Sequence, residues 1–239
     1  LRAFVDYFID VMNEKAGFNS KVVLCQPIAP GLADMINEQE GLYTLFLRGF
    51  QDGQKVNKKR IISCVSRCLN PYQDFDAVLD CTSNPDLRFI ACNTTEAGIA
   101  YDPSCQFSDI PASSYPGKLT QFLYRRFEKF GTVPGKGFII LSCELIDDNG
   151  KELEKCVLEY AKQWNLGEDF IAWVKTENTF CSTLVDRIVT GYPRNEADAI
   201  CEELGYKDNL IDTGEIFGFW VIEGPQSIKE EFPVDKAEL

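Results

Sequence analysis

Apolar residues near the start of the chain recur at the spacing of a helix. The members of this stripe are Phe4, Phe8, Val11 and Met12. Acidic residues occupy the opposite face, and Gly17 follows as a stop signal. The pattern predicts an amphipathic helix over residues 3–16 with one face turned toward a core.

Two later segments, Phe89–Cys92 and Phe138–Cys143, have no polar alternation. Continuous apolar runs of this length are typical of strands buried on both faces, as in a parallel sheet. Helical patterns alternate with these runs. They cover residues 30–38, 70–81, 116–130, 149–164, 168–174 and 196–204. The alternation predicts an α/β domain with a mostly parallel sheet flanked by helices, and we expect Phe89–Cys92 near the middle of that sheet.

The remaining apolar segments predict further strands. A short buried strand is expected at 21–25 and a late strand at 216–222. Residues 42–48 and 60–65 are rich in β-forming residues and flank an Asp52-Gly53 turn signal, so we expect an antiparallel hairpin there.

Length and composition allow a large folded domain. The chain has 239 residues, of which 45% are hydrophobic, so a sizeable core can form. We assign residues 1–225 to one domain and 226–239 to a linker. Leu1 already lies inside the first amphipathic pattern, so we expect a fragment. We find no signal peptide and no apolar run of membrane-spanning length.

Charge and residue usage exclude several classes of function. The formal net charge is −13, which disfavours a nucleic-acid partner because phosphate binding needs clustered Lys and Arg. The chain has no His, so it contains no His general base and no His metal ligand. Its ten Cys form no CxxC pair, and we interpret them as small buried side chains rather than as metal ligands. Nothing in the sequence fixes an oligomeric state.

Polar residues follow both buried runs. Asn93, Thr94 and Thr95 follow the first run, and residues 144–150 follow the second. The carboxyl ends of parallel strands meet at one edge of the sheet, where ligands bind. The same residues are also compatible with an ordinary Asx turn and with a helix cap. Their occurrence after two strands of one sheet favours the ligand site.

Three further positions are candidates for binding a dinucleotide. Arg2, in the first turn of the first helix, would add positive charge where helix N-termini attract phosphate, although an Arg taken alone at such a position is usually a surface residue. Gln26 ends a predicted strand where dinucleotide folds place a ribose-binding acidic residue. Gln26 can donate to a hydroxyl group, but a turn role before Pro27 is equally compatible with its position.

A segment near residue 180 places an acidic and a basic residue side by side. Asp186 and Arg187 are sequence neighbours and cannot face each other on a helix, so each needs its own partner. A salt bridge that only stabilises the fold and a role at a binding cleft both fit this pattern.

These segments together resemble the N-terminal domain of the polyol-specific, mannitol dehydrogenase-like family of long-chain dehydrogenases. The most specific matches are residues 1–6, 41–44, 142–147 with 149–150, and 182–189. Residues 93–98 and 190–194 are more similar to the sugar-acid members of the family than to the mannitol members.

The resemblance implies a Rossmann-like α/β fold whose first strand and glycine loop are missing here, followed in the family by a helical domain. It implies NAD as cofactor, a small sugar acid as substrate, and a location in a bacterial cytoplasm. The positions that inherit cofactor contacts are Leu1, Arg2, Ala3, Gln26, Asn93, Thr94 and Thr95. Asp186 matches a family Asp on the substrate side of the cleft.

The resemblance also implies that the catalytic groups lie elsewhere. The Lys, Asn and His that carry the family's chemistry belong to a motif beyond residue 239, so no catalytic residue is assigned and this chain alone is expected to be inactive. Three alternatives stay open. The first is another member of the same family, a fructuronate reductase or a mannitol-type dehydrogenase. The second is a different nucleotide-binding enzyme, such as a methyltransferase with an adenosyl cofactor, and the third is an interaction domain without a ligand.

Overall fold

The computed structural model describes residues 2–95 and 97–237. Its helices are α1 (Val5–Ala16), α2 (Ala33–Glu38), α3 (Phe75–Asp80), α4 (Tyr115–Phe130), α5 (Asn149–Gln163), α6 (Glu168–Glu177), α7 (Ala197–Leu204) and α8 (Ile228–Glu231). Its strands are β1 (Val22–Cys25), β2 (Tyr43–Gln51), β3 (Gln54–Ile62), β4 (Val65–Leu69), β5 (Phe89–Cys92), β6 (Ile139–Ser142), β7 (Thr179–Asp186), β8 (Val189–Gly191), β9 (Asp212–Glu215) and β10 (Phe219–Glu223). Short 3-10 turns occur at Cys81–Ser83 and Val234–Ala237.

The strands form three sheets. The central sheet has the order β10-β7-β6-β5, in which β5, β6 and β7 are parallel and β10 is antiparallel. Strands β1 and β4 form a separate parallel pair. The third sheet has the order β3-β2-β9-β8 and contains the β2–β3 hairpin. The predicted α/β architecture and the hairpin are therefore confirmed.

Strand β6 separates two hydrophobic cores. Ile139 and Leu141 face a core built largely with α1, whereas Phe138 and Ile140 face a core built with α4, α5 and α6. All four residues of β6 are buried, as the uninterrupted apolar run predicts. Helices thus cover both faces of the central sheet, which is the doubly wound arrangement.

The helix termini follow local sequence signals. Ser114 precedes α4, and its side chain accepts a hydrogen bond from the Gly117 backbone N–H at 3.0 Å. Asp74 caps α3 in the same way, so this helix begins at Phe75 rather than at residue 70. Gly17 ends α1 in the left-handed conformation.

One expectation from the sequence is wrong, and strand β7 is not predicted. Strand β5 pairs only with β6 among the described residues and forms an edge of its sheet, so its first three residues are only half-buried. Residues 179–186 form the strand β7, although their Ser and Thr residues hid it from the apolar pattern. Strand β7 is buried only in part, and such strands do not need continuous apolar residues.

Residues 226–237 pack against the domain. Ile228, Phe232 and Ala237 are buried in the same core as α1, and Phe232 contacts Phe18, Phe89 and Trp220. The prediction that residues 226–239 lead into a second domain stays a prediction. Within the described part of the chain, no helix combines the length and the apolar character that crossing a membrane requires.

Candidate functional site

The polar residues after β5 and β6 lie side by side. Cys92 pairs in register with Ser142, and the Cys143 backbone N–H donates to the Cys92 carbonyl oxygen at 2.9 Å. The Asn93 side-chain Nδ2 donates to the Cys143 carbonyl oxygen at 2.9 Å. The structure therefore brings together the two strand ends that the sequence predicts at one edge.

A buried carboxylate organises this edge. The Glu144 side chain is only 3% exposed and accepts hydrogen bonds from the Thr94 backbone N–H at 2.8 Å and from Thr94 Oγ1 at 2.9 Å. The Cys92 thiol lies 3.6 Å from Glu144 Oε2 and donates to it. Burial, followed by the nearby Glu144 charge, raises the pKa of the Cys92 thiol well above its usual value, so the thiol keeps its proton.

The turn after β5 has no space for a side chain at position 98. A Cβ atom added to Gly98 would lie 2.1 Å from Thr94 Oγ1, so only glycine fits beside this hydroxyl. With Thr94 held by Glu144, Asn93 and Thr95 remain exposed on the solvent side. The exposed groups can donate and accept hydrogen bonds without carrying charge.

Two buried hydroxyl groups at the same edge face the Cys92 thiol. Ser142 Oγ and Tyr115 Oη are inaccessible to solvent, and both approach the Cys92 thiol without meeting the geometry of a full hydrogen bond. Tyr115 opens α4 and lies against Cys92, and burial raises its pKa well above the usual value. These hydroxyl groups are therefore packed around the thiol inside the fold.

Asn149 joins the end of β6 to β7. Its Nδ2 donates to the carbonyl oxygens of Glu144 and Thr183 at 2.8 and 2.9 Å, and its Oδ1 accepts from the Thr183 backbone N–H at 3.0 Å. The sequence of residues 144–150 is compatible with a helix cap, but no described side chain caps the start of α5. Asp148 adopts a left-handed conformation with φ 52° and makes no capping hydrogen bond, whereas Asn149 is fully buried and forms the connection.

The Arg2 side chain points into the fold. It donates to the Leu210 carbonyl oxygen, lies 3.6 Å from Asp212 Oδ2, and covers the Tyr43 ring at 4.3 Å from the ring centroid. These contacts stabilise the junction between the start of the chain and β9. The Arg2 guanidinium already lies beside the Asp212 carboxylate. A role of Arg2 toward a phosphate stays a prediction.

Ala3 is fully buried, and both its backbone groups are used. Its N–H donates to Tyr43 Oη at 3.0 Å, and its carbonyl oxygen accepts from Arg187 Nη1 at 2.9 Å. The Ala3 N–H therefore already has a hydrogen-bond acceptor inside the fold. Leu1, the third predicted contact of this segment, lies outside the described residues.

Gln26 closes the turn that follows β1. Its Nε2 donates to the carbonyl oxygens of Ile28 and Ala29 at 2.9 and 2.7 Å, and its Oε1 accepts from the Ala33 backbone N–H at 3.2 Å. Only 6% of the residue is exposed. The geometry matches the turn role that the sequence left open, and the ribose role stays a prediction.

Asp186 and Arg187 have separate environments. Asp186 is exposed at the end of β7, four residues beyond Ser182, which is about 13 Å along a strand. Its side chain forms no hydrogen bond or ion pair within residues 2–95 and 97–237. Arg187 Nε donates to the Phe217 carbonyl oxygen at 2.9 Å, and its guanidinium lies 4.3 Å from the Tyr7 ring centroid. The structure thus does not bring Asp186 to the Glu144 cluster.

The ten Cys residues are free thiols, and seven of them are buried. Burial raises the pKa of Cys64 to about 12 and that of Cys181 to about 11, so these thiols keep their protons. No group of three potential metal ligands occurs in the described part of the chain.

Comparison with known proteins decides the family. The family described as the mannitol dehydrogenase Rossmann domain matches residues 1–236. The chain belongs to the mannitol dehydrogenase family. The resemblance proposed from the sequence is therefore confirmed, and so is the Rossmann-like fold.

Relatives of this mannitol dehydrogenase domain include altronate oxidoreductases. The chain is 52% identical over 239 residues to that of Phocaeicola vulgatus and 50% identical over 239 residues to that of Bacteroides thetaiotaomicron. Each alignment covers 100% of this chain and 50% of the relative. The chain therefore spans about half the length of the curated relatives that it matches.

Two solved structures share the fold of this mannitol dehydrogenase domain. A substrate-free D-sorbitol dehydrogenase superposes with a TM-score of 0.79 at 22% identity, covering 99% of this chain and 50% of the other. Mannitol 2-dehydrogenase of Pseudomonas fluorescens, in a ternary complex with NAD and D-mannitol, superposes with a TM-score of 0.78 at 23% identity, covering 94% of this chain and 47% of the other.

Proposed function

We propose that this chain is the cofactor-binding half of an NAD-dependent oxidoreductase that interconverts D-altronate and D-tagaturonate in the cytoplasm. The observation that carries the proposal is the 52% identity to an altronate oxidoreductase over the full length of the chain. Membership of the mannitol dehydrogenase family agrees with a secondary alcohol as the reacting group. Family membership also sets aside the methyltransferase and the ligand-free interaction domain as alternatives.

The residues at the strand ends suit a dinucleotide. Asn93 and Thr95 offer exposed neutral donors and acceptors at this edge. A parallel α/β sheet binds its ligand at this edge. The cofactor, when bound, accepts or supplies the hydride.

The chain's own contribution is to bind and to orient. Glu144 fixes the Thr94 backbone N–H and hydroxyl, so the turn holds one shape and little conformational entropy is lost when a ligand binds. Asp186 remains our substrate-side candidate by its match to the family. No residue of this chain is assigned the proton transfer, which we place on groups outside residues 1–239.

A substrate comparison tests the proposal. The full-length gene product is assayed for NADH oxidation with tagaturonate, fructuronate and fructose. We expect tagaturonate to give the highest kcat/KM. Turnover with fructuronate or fructose but not with tagaturonate would move the assignment to a fructuronate reductase or a mannitol-type dehydrogenase. The chain of residues 1–239 alone should give no turnover.

A further inference from the structure

Ala3 adopts a backbone conformation that residues with a Cβ atom rarely use. Its φ angle is 61°, in the left-handed region, and the residue is fully buried. A non-glycine residue in this region is strained and persists only where its surroundings fix it. The turn lies two residues before the start of α1, so it sets the direction in which the chain enters this helix.

Two side chains from different sheets fix Ala3. Tyr43 of β2 accepts the Ala3 N–H at 3.0 Å through its Oη, which itself donates to Asp6 Oδ2 at 2.6 Å. On the other side of the peptide chain, Arg187 Nη1 donates to the Ala3 carbonyl oxygen at 2.9 Å. Arg187 comes directly after β7 of the central sheet, so the two contacts connect the turn to both sheets.

The Arg187 side chain packs between α1 and the segment before β10. Its guanidinium lies 4.3 Å from the Tyr7 ring centroid and 5.8 Å from the Phe8 ring centroid. Its Nε donates to the Phe217 carbonyl oxygen at 2.9 Å. A Cβ atom added to Gly218 would lie 2.3 Å from Nη2, so the guanidinium packs directly against the backbone there. One planar group therefore connects α1, the end of β7 and the segment before β10.

No carboxylate lies within ion-pair distance of Arg187 in residues 2–95 and 97–237. Burial lowers the pKa of its guanidinium, and the Tyr7 side chain and the more distant Glu215 charge oppose this effect. The donors of Arg187 are directed at backbone carbonyl oxygens, which they fix in place. The contacts of this side chain therefore determine backbone geometry.

The backbone that Arg187 fixes belongs to the segment that the family resemblance assigns to the cofactor. No described side chain caps the start of α1. A helix start without a side-chain cap leaves backbone N–H groups available for an anionic ligand. The direction of these N–H groups depends on the turn at Ala3.

We propose that Arg187 is a positioning residue for cofactor binding, which fixes the left-handed turn at Ala3 so that the start of α1 is in place before the dinucleotide binds. This inference rests on the proposed function, because it presumes that a nicotinamide dinucleotide binds. It adds that Ala3 anchors this segment instead of contacting the cofactor. It also adds that a guanidinium on β7's side of the fold sets the affinity for NADH without touching it.

Ligand titration of the full-length protein tests the inference without relying on turnover. The dissociation constant of NADH is measured by fluorescence for the wild type, Arg187→Met and Arg187→Lys. Urea unfolding gives the stability and the folded fraction of each variant. The kcat with tagaturonate at saturating NADH is measured separately, because a residue that only positions the cofactor segment affects binding more than the chemical step.

Arg126→Lys is the matched control. The Arg126 guanidinium is also buried, donates to the Leu87 and Lys136 carbonyl oxygens at 3.2 and 2.8 Å, and lies 4.3 Å from the Phe130 ring centroid. Leu87 precedes β5 and Lys136 precedes β6, so Arg126 lies at the opposite edge of the central sheet. Its replacement should lower stability and leave the NADH affinity within about twofold of the wild type.

We expect Arg187→Met to weaken NADH binding by about tenfold or more, because both charge-assisted hydrogen bonds to the backbone are lost. Arg187→Lys should lose less affinity than Arg187→Met, since an ammonium can donate to one of the two carbonyl oxygens. In both variants kcat at saturation should fall by about threefold at most.

Four results would overturn the inference. They are an unchanged NADH dissociation constant in both Arg187 variants, an equal loss of affinity in Arg126→Lys, a larger fall in kcat at saturation, and an Arg187→Lys variant that does not fold. The last result would assign Arg187 to the stability of the fold alone. A wild type that does not bind NADH would instead refute the proposed function, so the two failures are distinguishable.

Discussion

Asp6 is a carboxylate enclosed by the first helix and the third sheet. It is 1% exposed, and it accepts hydrogen bonds from Tyr43 Oη at 2.6 Å and from the Tyr7 backbone N–H at 2.8 Å. Burial raises the pKa of Asp6 to about 6 from an ordinary value of 3.8, against the opposing effect of the Tyr43 hydrogen bond and the Arg2 charge. The fold therefore favours the protonated acid.

The raised pKa of Asp6 makes stability depend on pH in a defined direction. The contribution of the protonated acid is fully present below pH 4 and is lost as the pH rises through about 6, a change of about 3 kcal/mol in the free energy of unfolding. Asp6→Asn cannot ionise, so its stability relative to the wild type should improve by that amount between pH 4 and pH 7.

Urea unfolding at a series of pH values measures this difference. The exposed Asp34→Asn variant is the control and should follow the wild-type curve. If Asp6→Asn also follows the wild-type curve at every pH, then Asp6 ionises normally in the folded protein.

Glu144 gives a second prediction at the scale of one residue. Glu144→Gln replaces one acceptor oxygen by an NH2 group that must face the donors of Thr94 or Cys92. We expect a loss of about 2 kcal/mol in the free energy of unfolding, because a buried donor is then left without an acceptor. Chemical denaturation measures it, with the exposed Glu203→Gln as control. Equal stability of the two variants would show that the carboxylate is dispensable.

At the scale of elements, α5 begins in close contact with β7. A Cβ atom added to Gly150 would lie 2.5 Å from the Cys181 backbone carbon and 2.6 Å from the Ser182 backbone nitrogen. The Gly150 N–H donates to Ser182 Oγ at 3.2 Å. Glycine is therefore required here by the approach of two backbones, while Asn149 supplies the hydrogen bonds between them.

Gly150→Ala should separate α5 from β7. The backbone atoms of Cys181 and Ser182 cannot move aside as the end of a flexible side chain can. We therefore expect a loss of about 2 kcal/mol or more in the free energy of unfolding. Thermal unfolding of the full-length protein measures it. Lys151→Ala, at the next and solvent-exposed position of the same helix, should unfold nearly at the wild-type temperature. A Gly150→Ala variant as stable as Lys151→Ala would contradict the close packing.

The elements differ in how well the sequence predicts them. Strand β6 is predicted because both of its faces are buried, and the resulting run of apolar residues is distinctive. Strand β7 is missed because its partly exposed residues include Ser and Thr. The edge position of β5 depends on which strands pair, and periodicity along a single segment carries no information on pairing.

The site is predictable to a similar extent. The position of Asn93 and Thr94 at a strand end follows from the pattern. Their buried partner Glu144 lies 50 residues away in sequence, and its role as acceptor follows only from the register of β5 and β6. Gln26 is ambiguous in sequence, because the choice between turn and ligand depends on the direction of one side chain.

At the scale of the molecule, two hydrophobic cores cover the two faces of the central sheet. Neutral groups after β5 and β6 lie at the carboxyl edge of this sheet. The relatives extend to about twice the length of this chain, which agrees with a cofactor-binding half that orients a dinucleotide for groups on another part of the protein.

The most direct test of this account is the dissociation constant of NADH for the full-length protein and its Thr94→Ala variant. The variant removes the hydroxyl that Glu144 holds and loosens the turn, so we expect an affinity loss of about tenfold. Thr176→Ala, an exposed threonine on α6, should bind NADH like the wild type. An unchanged dissociation constant in Thr94→Ala would contradict a cofactor site at the ends of β5 and β6.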